Sequence, residues 1–258
     1  MTMPSLFLAH GSPMLAIEET PYTAFLAELG KKLRPRAIVI FTAHWESPVL
    51  TVSRMDNVYE TIYDFGGFPP ELYQVKYNAR GSIEVADEVV RRFTAQGIET
   101  RTDAKRGLDH GSWTMLRRMY PDADIPVVQV SVHPFLPAEE QYRIGESLRG
   151  LGEEDILVIG SGVTVHNFGE IKWGQKESEP WALEFDDWLI EHMASKDYAT
   201  LFRYKELAPH ARRAVPREEH FVPLFLALGA ASSTAEAKPI YRSYDFGTLS
   251  YLCMAFGS

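Results

Sequence analysis

Short apolar runs alternate along the chain with stretches whose apolar residues recur at helical spacing, a pattern that predicts an α/β fold. Ser5-Leu-Phe-Leu-Ala9 reads as a first strand that stops at the loop signature His10-Gly-Ser-Pro13. Thr20-Pro21 supplies an N-cap and a first-turn proline for a helix to about Leu33. Ala37 to Thr42 is a second strand, stopping at Ala43-His44-Trp45. Ser82 caps a helix to about Gln96, with Gly97 as its stop, and Gly107 to Trp113 is a loop leading into a helix from Thr114 to Met119. Pro126 to Val132 and Ile156 to Gly160 are nearly continuous apolar strands, as burial on both sheet faces requires. Helices are expected from Ala138 to Leu148, from Glu179 to Ser195 and from Glu218 to Leu228, and a last strand from Thr248 to Phe256. Trp181, Phe185 and Trp188 fall at helical spacing and read as core. Tyr63-Asp-Phe-Gly-Gly-Phe-Pro-Pro70 is too irregular for a regular element; it suits either a wall or lid over a site or a surface loop pinned by its aromatics.

The 258 residues hold no repeat, low-complexity tract or dividing linker, so a single domain over residues 1–258 is expected. A composition of 45% hydrophobic and 24% charged residues excludes a disordered chain. The net charge of −9 argues against nucleic acid and against anionic membrane surfaces as partners. One cysteine, Cys253, excludes an internal disulfide, a cysteine-based zinc site and a CxxC redox motif; within an apolar run it reads as a small buried hydrophobe. The first residues lack a basic n-region, and no stretch approaches the ~18 apolar residues of a membrane span, so a soluble cytoplasmic protein is expected.

The chemistry lies in the eight histidines. His10, His44, His133 and His166 each follow an expected strand at its C-terminal end, where open α/β sheets place ligands. His110 sits in a loop after Asp109, and His220 near a helix start. His192 is expected on a solvated helix face and His210 in an exposed basic loop. A single histidine is more often structural than a ligand, but several converging on one sheet edge favour a metal site, and imidazole suits zinc, iron, copper and nickel. No HExxH spacing is present, so such a site would be assembled from distant segments. His133 suits an orienting or pocket-lining role, or more simply a structural one.

His10-Gly-Ser-Pro13, Thr42-Ala-His44-Trp-Glu46, Tyr63-Asp-Phe-Gly-Gly-Phe-Pro69, Gly107-Leu-Asp-His-Gly-Ser-Trp113, Gly160-Ser-Gly162 leading to His166-Asn167, and Glu219-His-Phe-Val-Pro-Leu224 occur in that order. As an ordered set they make the chain resemble the class III (LigB-type) extradiol ring-cleaving dioxygenases, in the DOPA 4,5-dioxygenase branch, over essentially its whole length. The resemblance implies a three-layer α/β/α fold around a central, mostly parallel mixed sheet. It implies His10, His44 and His220 as metal ligands, His166 as the acid–base histidine, and His110 as a second active-site histidine bonding substrate or oxygen. It also implies Fe(II) for catalysis, zinc as an ion the isolated protein holds, and a catechol and O2 as substrates. With zinc and no substrate, His166 would complete a tetrahedron. Glu219 is the neighbouring carboxylate and the fallback ligand. Three neutral ligands would leave the full charge on Fe(II), which favours an anionic catecholate. The run after His166, Asn167-Phe-Gly169, differs from that of the betalain-forming plant members and matches the general members, and Val215 stands where many relatives carry histidine.

Two other functions fit the same residues. One is a non-catalytic binding protein on this fold, holding zinc; it has no need of both an intact ligand set and the pair His110 and His166. The other is a metallohydrolase, which needs a carboxylate base such as Glu46 or Glu219 near the ion.

Overall fold

The computed structural model describes residues 2–257. Along the chain come β1 (Ser5–Ala9), α1 (Pro21–Lys32), β2 (Ala37–Glu46), β3 (Leu50–Ser53), α2 (Ile83–Ala95), β4 (Thr100–Asp103), α3 (His110–Met119), β5 (Val127–Val132), α4 (Ala138–Glu146) and β6 (Ile156–Gly162). Then follow α5 (Pro180–Ala194), the short α6 (Tyr198–Leu201), α7 (Tyr204–Leu207) and α8 (Ala211–Ala214), α9 (Pro223–Ala230), β7 (Glu236–Tyr241), β8 (Tyr244–Asp245), β9 (Leu249–Ser250) and β10 (Cys253–Gly257). Eight strands form one sheet in the order β4-β3-β5-β2-β6-β1-β10-β7. Its centre is parallel: β2 pairs with β5 and β6, and β1 with β6. Antiparallel pairing enters at β3–β5, β1–β10 and β10–β7, which makes the sheet mixed as expected.

Strand alternation sends neighbouring residues to opposite faces. Leu6, Leu8, Ile38 and Ile40 pack with Leu26 of α1 and with Trp113 and Leu116 of α3. On the other face, Phe7 packs with Phe185 of α5 and Phe225 of α9, while Val39 and Phe41 pack with Val89 and Phe93 of α2 and Ile144 of α4. The result is the three-layer α/β/α arrangement. Trp181 and Phe185 are buried core and Trp188 is half-buried, as their spacing predicts. Cys253 is buried, and burial pushes its thiol up to about 11.

Several boundaries differ from expectation. β2 does not stop at Thr42; it runs on through His44 to Glu46, and its register against β5 shifts between Phe41 and Glu46. Such an irregularity re-aims side chains at a strand end. α3 begins at His110, four residues before the expected Thr114. The last helix starts at Pro223, so His220 lies in the turn before it. The expected final strand is two strands, β9 and β10, with Tyr251 and Leu252 between them. His192 is half-buried because its ring stacks on Trp188, with centroids 4.1 Å apart. His210 is exposed and pairs with Glu184 at 2.8 Å. No described helix is long and apolar enough to cross a membrane.

Candidate metal centre and active site

The C-terminal ends of β1, β2 and β6 and the N-terminal ends of α3 and α9 meet over the same edge of the sheet. Two small residues make the meeting close. A Cβ on Gly162 would lie 2.1 Å from the carbonyl oxygen of His220, which accepts from the Val163 N–H at 2.8 Å. A Cβ on Gly111 would lie 2.8 Å from the ring of His44.

His10, His44 and His220, from positions 34 and 176 residues apart, present their ring nitrogens to one another. Nε2 of His44 lies 3.0 Å from Nε2 of His10 and 3.3 Å from Nε2 of His220. The other nitrogen of each ring is held from behind. Ser161 donates its hydroxyl proton to the Gly111 carbonyl, so its oxygen accepts from Nδ1 of His10 at 2.9 Å. Nδ1 of His44 faces Asp64 Oδ2 at 3.4 Å, and Nδ1 of His220 faces Glu219 Oε1 at 3.0 Å. These acceptors place the proton on each Nδ1, an assignment made from the network. All three Nε2 atoms then carry lone pairs, and three acceptors pointed at one spot have no hydrogen bond to make. A cation resolves the conflict: at metal–nitrogen distances of ~2.0–2.1 Å, nitrogens about 3.0–3.4 Å apart surround one ion. The residues therefore fit a divalent metal.

Electrostatics agree. Burial, then the neighbouring imidazoles His44 and His220, hold His10 well below its ordinary value. Burial, then His110 and His220, bring His44 down to about 2. Both rings are neutral at pH 7, the form that ligates metal. Burial alone would raise Asp64, but close contact with His110 outweighs it and lowers the carboxyl to about 2. Burial likewise opposes ionisation of Glu219, and its bond to His220 prevails, so its pKa is lowered.

His166 and His110 flank the cluster. The His166 ring lies flat on that of His220, with centroids 3.8 Å apart and planes 10° apart. Burial, then His220, lower it to about 3. The His110 ring lies 3.9 Å from that of His44, and its backbone N–H donates to Asp64 Oδ1 at 3.0 Å. All five histidines line one cavity of about 460 Å³, together with Asp64, Phe65 and Phe68 from the Tyr63–Pro70 segment, which is thus a wall of the site. His133 does not line it; half-buried, it packs near Phe135. Val215 packs against the apolar cluster of α5 and α9. Glu46 is paired with Arg217 at 2.6 Å. Glu219 bonds His220 through Oε1, while its buried Oε2 has no hydrogen-bond partner among the described residues, and with His166 and His220 it forms a second group close enough to hold an ion.

Sequence reasoning missed Asp64 and Ser161 as the groups behind His44 and His10. The only signal for Asp64 was a carboxylate set among aromatics and glycines. Asp109 was also missed: at the start of α3 its side chain accepts from Thr42 at 2.7 Å and from Arg106 at 3.1 Å, and Arg106 also donates to the His44 carbonyl at 3.1 Å.

Comparison with known proteins gives this arrangement a family. Residues 4–254 match the catalytic LigB subunit of aromatic ring-opening dioxygenase. A 4,5-DOPA dioxygenase extradiol from Beta vulgaris is 40% identical, covering 98% of this chain and 96% of its own. A protein of the same name from Escherichia coli K12 is 36% identical over 99% and 95%. The crystal structure of an uncharacterized Escherichia coli K12 protein superposes with a TM-score of 0.84 at 33% identity, covering 99% of this chain and all of the other. The chain belongs to the LigB family of extradiol aromatic ring-opening dioxygenases.

Proposed function

We propose that the protein is an Fe(II)-dependent extradiol dioxygenase that opens a catechol ring with O2, working as one catalytic unit over residues 1–258. In this reading His10, His44 and His220 hold the metal, His166 moves protons, and His110 hydrogen-bonds substrate or oxygen. The strongest support is the convergence of three unprotonated Nε2 atoms at the floor of a cavity that two further histidines line. Fe(II), when bound, supplies a charge that binds the catecholate and a meeting point where diol and O2 react side by side. Zinc fits the same nitrogens but has no redox chemistry, so it holds the site without turnover.

The remaining chemistry falls to this chain's own groups. His166 is unprotonated at neutral pH, the state that accepts a proton from the second hydroxyl. The negative charge of a bound catecholate favours its protonated form, so the same ring returns the proton later. The apolar wall of Phe65 and Phe68 excludes water from the reacting ring. Both atoms of O2 end in the product. One ring bond beside the diol breaks, its hydroxyl-bearing carbon becomes a carboxylic acid and its neighbour an aldehyde, with no other reductant.

The test is anaerobic. Metal-free protein is loaded with Fe(II), given simple catechols, and exposed to oxygen while the yellow ring-opened product is followed, with zinc-loaded protein as control. Colour only with Fe(II) is expected. No colour from several catechols at verified iron occupancy would favour instead a non-catalytic zinc-holding protein.

A further inference from the structure

β2 gives up its regular pairing where it delivers a metal-facing imidazole. Phe41 pairs with Val130 of β5 and the next pair is Glu46 with Val132, so Thr42 to Trp45 stand against Ser131 alone. On the other side, pairing with β6 ends at Thr42 and Ser161. His44 thus has no partner in either register, and its backbone N–H and C=O are satisfied by side chains instead. The N–H donates to Thr42 Oγ1 at 3.3 Å, and the carbonyl accepts from Arg106 Nη2 at 3.1 Å. Both side chains converge on one carboxylate: Thr42 Oγ1 donates to Asp109 Oδ1 at 2.7 Å and Arg106 Nη2 donates to Asp109 Oδ2 at 3.1 Å.

Asp109 stands immediately before α3, where an aspartate ordinarily caps a helix. Its side chain caps no N–H of that helix. It is fully buried, a costly place for a carboxylate, and it turns to β2. The fit leaves no slack: a Cβ on Gly111 would lie 2.9 Å from Thr42 Oγ1 and 3.3 Å from Asp109 Oδ1. Arg106 is steadied in turn over the indole of Trp45, with its guanidinium 5.0 Å from the ring centroid.

Resting on the reading of His44 as a metal ligand, we propose that Asp109 is a positioning residue of the metal centre. Through Thr42 and Arg106 it fixes the backbone of His44, and with it the direction of Nε2. Because Asp109 also starts α3, it sets His110 beside His44, where the two rings lie 3.9 Å apart. A plain buried ion pair would stabilise the fold but leave the geometry at the ion unchanged once the chain is folded.

Cobalt(II), whose visible spectrum reports its coordination, is the probe. Metal-free native protein and variants, each confirmed folded by circular dichroism, are titrated with Co(II) against a competing chelator. Thr42→Val keeps the size and both charges but deletes the hydroxyl. Its Co(II) affinity should fall by roughly 10-fold or more, as for groups that orient ligands, and its absorption bands should shift. Thr42→Ser restores the hydroxyl and should return the affinity to within about 3-fold of native. Asp109→Ala should weaken binding further; if it fails to fold, Thr42→Val carries the test. Tyr120→Phe is the control. It deletes a buried hydroxyl that donates to the Leu33 carbonyl at 2.8 Å, at the opposite end of α3, so it should lower the urea midpoint and leave the Co(II) spectrum and affinity native. Native affinity and spectrum in Thr42→Val, or an equal loss in Tyr120→Phe, would overturn the proposal. His44→Ala separates the two levels. If it holds Co(II) as the native protein does, the metal reading and the proposal both fall; if it loses Co(II) while Thr42→Val does not, only the positioning role falls.

Discussion

At the floor of the cavity each metal-facing imidazole is fixed at both ends. His10 is held by its backbone N–H on the Gly162 carbonyl at 3.2 Å and by its Nδ1 on Ser161 at 2.9 Å. At the rim the backbone is tied down, with the Lys172 N–H on the Phe246 carbonyl at 3.0 Å, but the Phe168 and Trp173 side chains project into water. The difference separates two tasks. A metal site needs ring nitrogens held within a few tenths of an ångström, so its residues come from a buried sheet edge with hydrogen-bonded backing. An exposed rim needs no such precision, and loops supply it.

The largest predicted effects fall at the floor. His10→Ala, His44→Ala or His220→Ala removes one of the converging lone pairs; metal retained after dialysis, read by atomic absorption, should fall to background and turnover with it. His166→Ala should keep full metal occupancy yet lose roughly 10²–10⁴-fold in kcat, the usual worth of a positioned acid–base group. Turnover by that variant at the native rate would remove His166 from its role. Behind the ligands, Asp64→Asn, Glu219→Gln and Ser161→Ala each change a group that orients an imidazole. Metal affinity should weaken by roughly 10–100-fold, measured by competition with a chelator.

That the floor could be read from sequence and its backing could not has a physical cause. His10 and His44 mark the ends of local apolar runs, and a run of Ile and Val followed by histidine is visible in one window. Ser161 reaches His10 from 151 positions away, and nothing local to either residue announces the contact. The same limit explains the missed strands. β4 is Thr-Arg-Thr-Asp on an edge, and β7 carries Glu236, Lys238 and Pro239, so neither shows an apolar run. α9 is buried on every side, which erases the helical periodicity that would have fixed its start; Pro223 sets it instead. His44 was misplaced beyond its strand because the irregular register that aims it depends on β5.

The floor also stores a pH liability. His10, His44 and His166 all have folded values below an unfolded histidine's ~6.5. Above that value the rings are neutral in both states and cost nothing. As the pH falls below it, the unfolded chain takes up protons that the folded one refuses, so stability drops by about 1.4 kcal/mol per pH unit for each ring that stays neutral. The fall continues towards the folded values, about 3 for His166 and about 2 for His44. Metal-free protein should therefore show a steep loss of urea midpoint between neutral pH and pH 5. Saturating metal at neutral pH should raise the midpoint, because the ion binds only the folded cluster. A flat profile for the metal-free protein would mean that the imidazoles are not crowded as described.

The smallest effect is the most discriminating between floor and rim. Trp173 is 78% exposed, so Trp173→Ser removes little buried area and should change unfolding free energy by no more than about 0.5 kcal/mol. Trp113, fully buried in α3 with its indole N–H on the Ile62 carbonyl at 2.9 Å, is the opposite case; Trp113→Ala should cost about 3–5 kcal/mol. The two tryptophans belong to the surroundings of one cavity, since Trp173 lines it and Trp113 packs, with ring centroids 6.3 Å apart, against Phe65, which also lines it. Equilibrium denaturation of both variants would then separate a side chain that builds the core behind the cavity from one that stands in solvent at its rim. A loss above about 2 kcal/mol for Trp173→Ser would show that the rim is part of the folded core, since exposed positions far from packing or networks do not produce losses of that size.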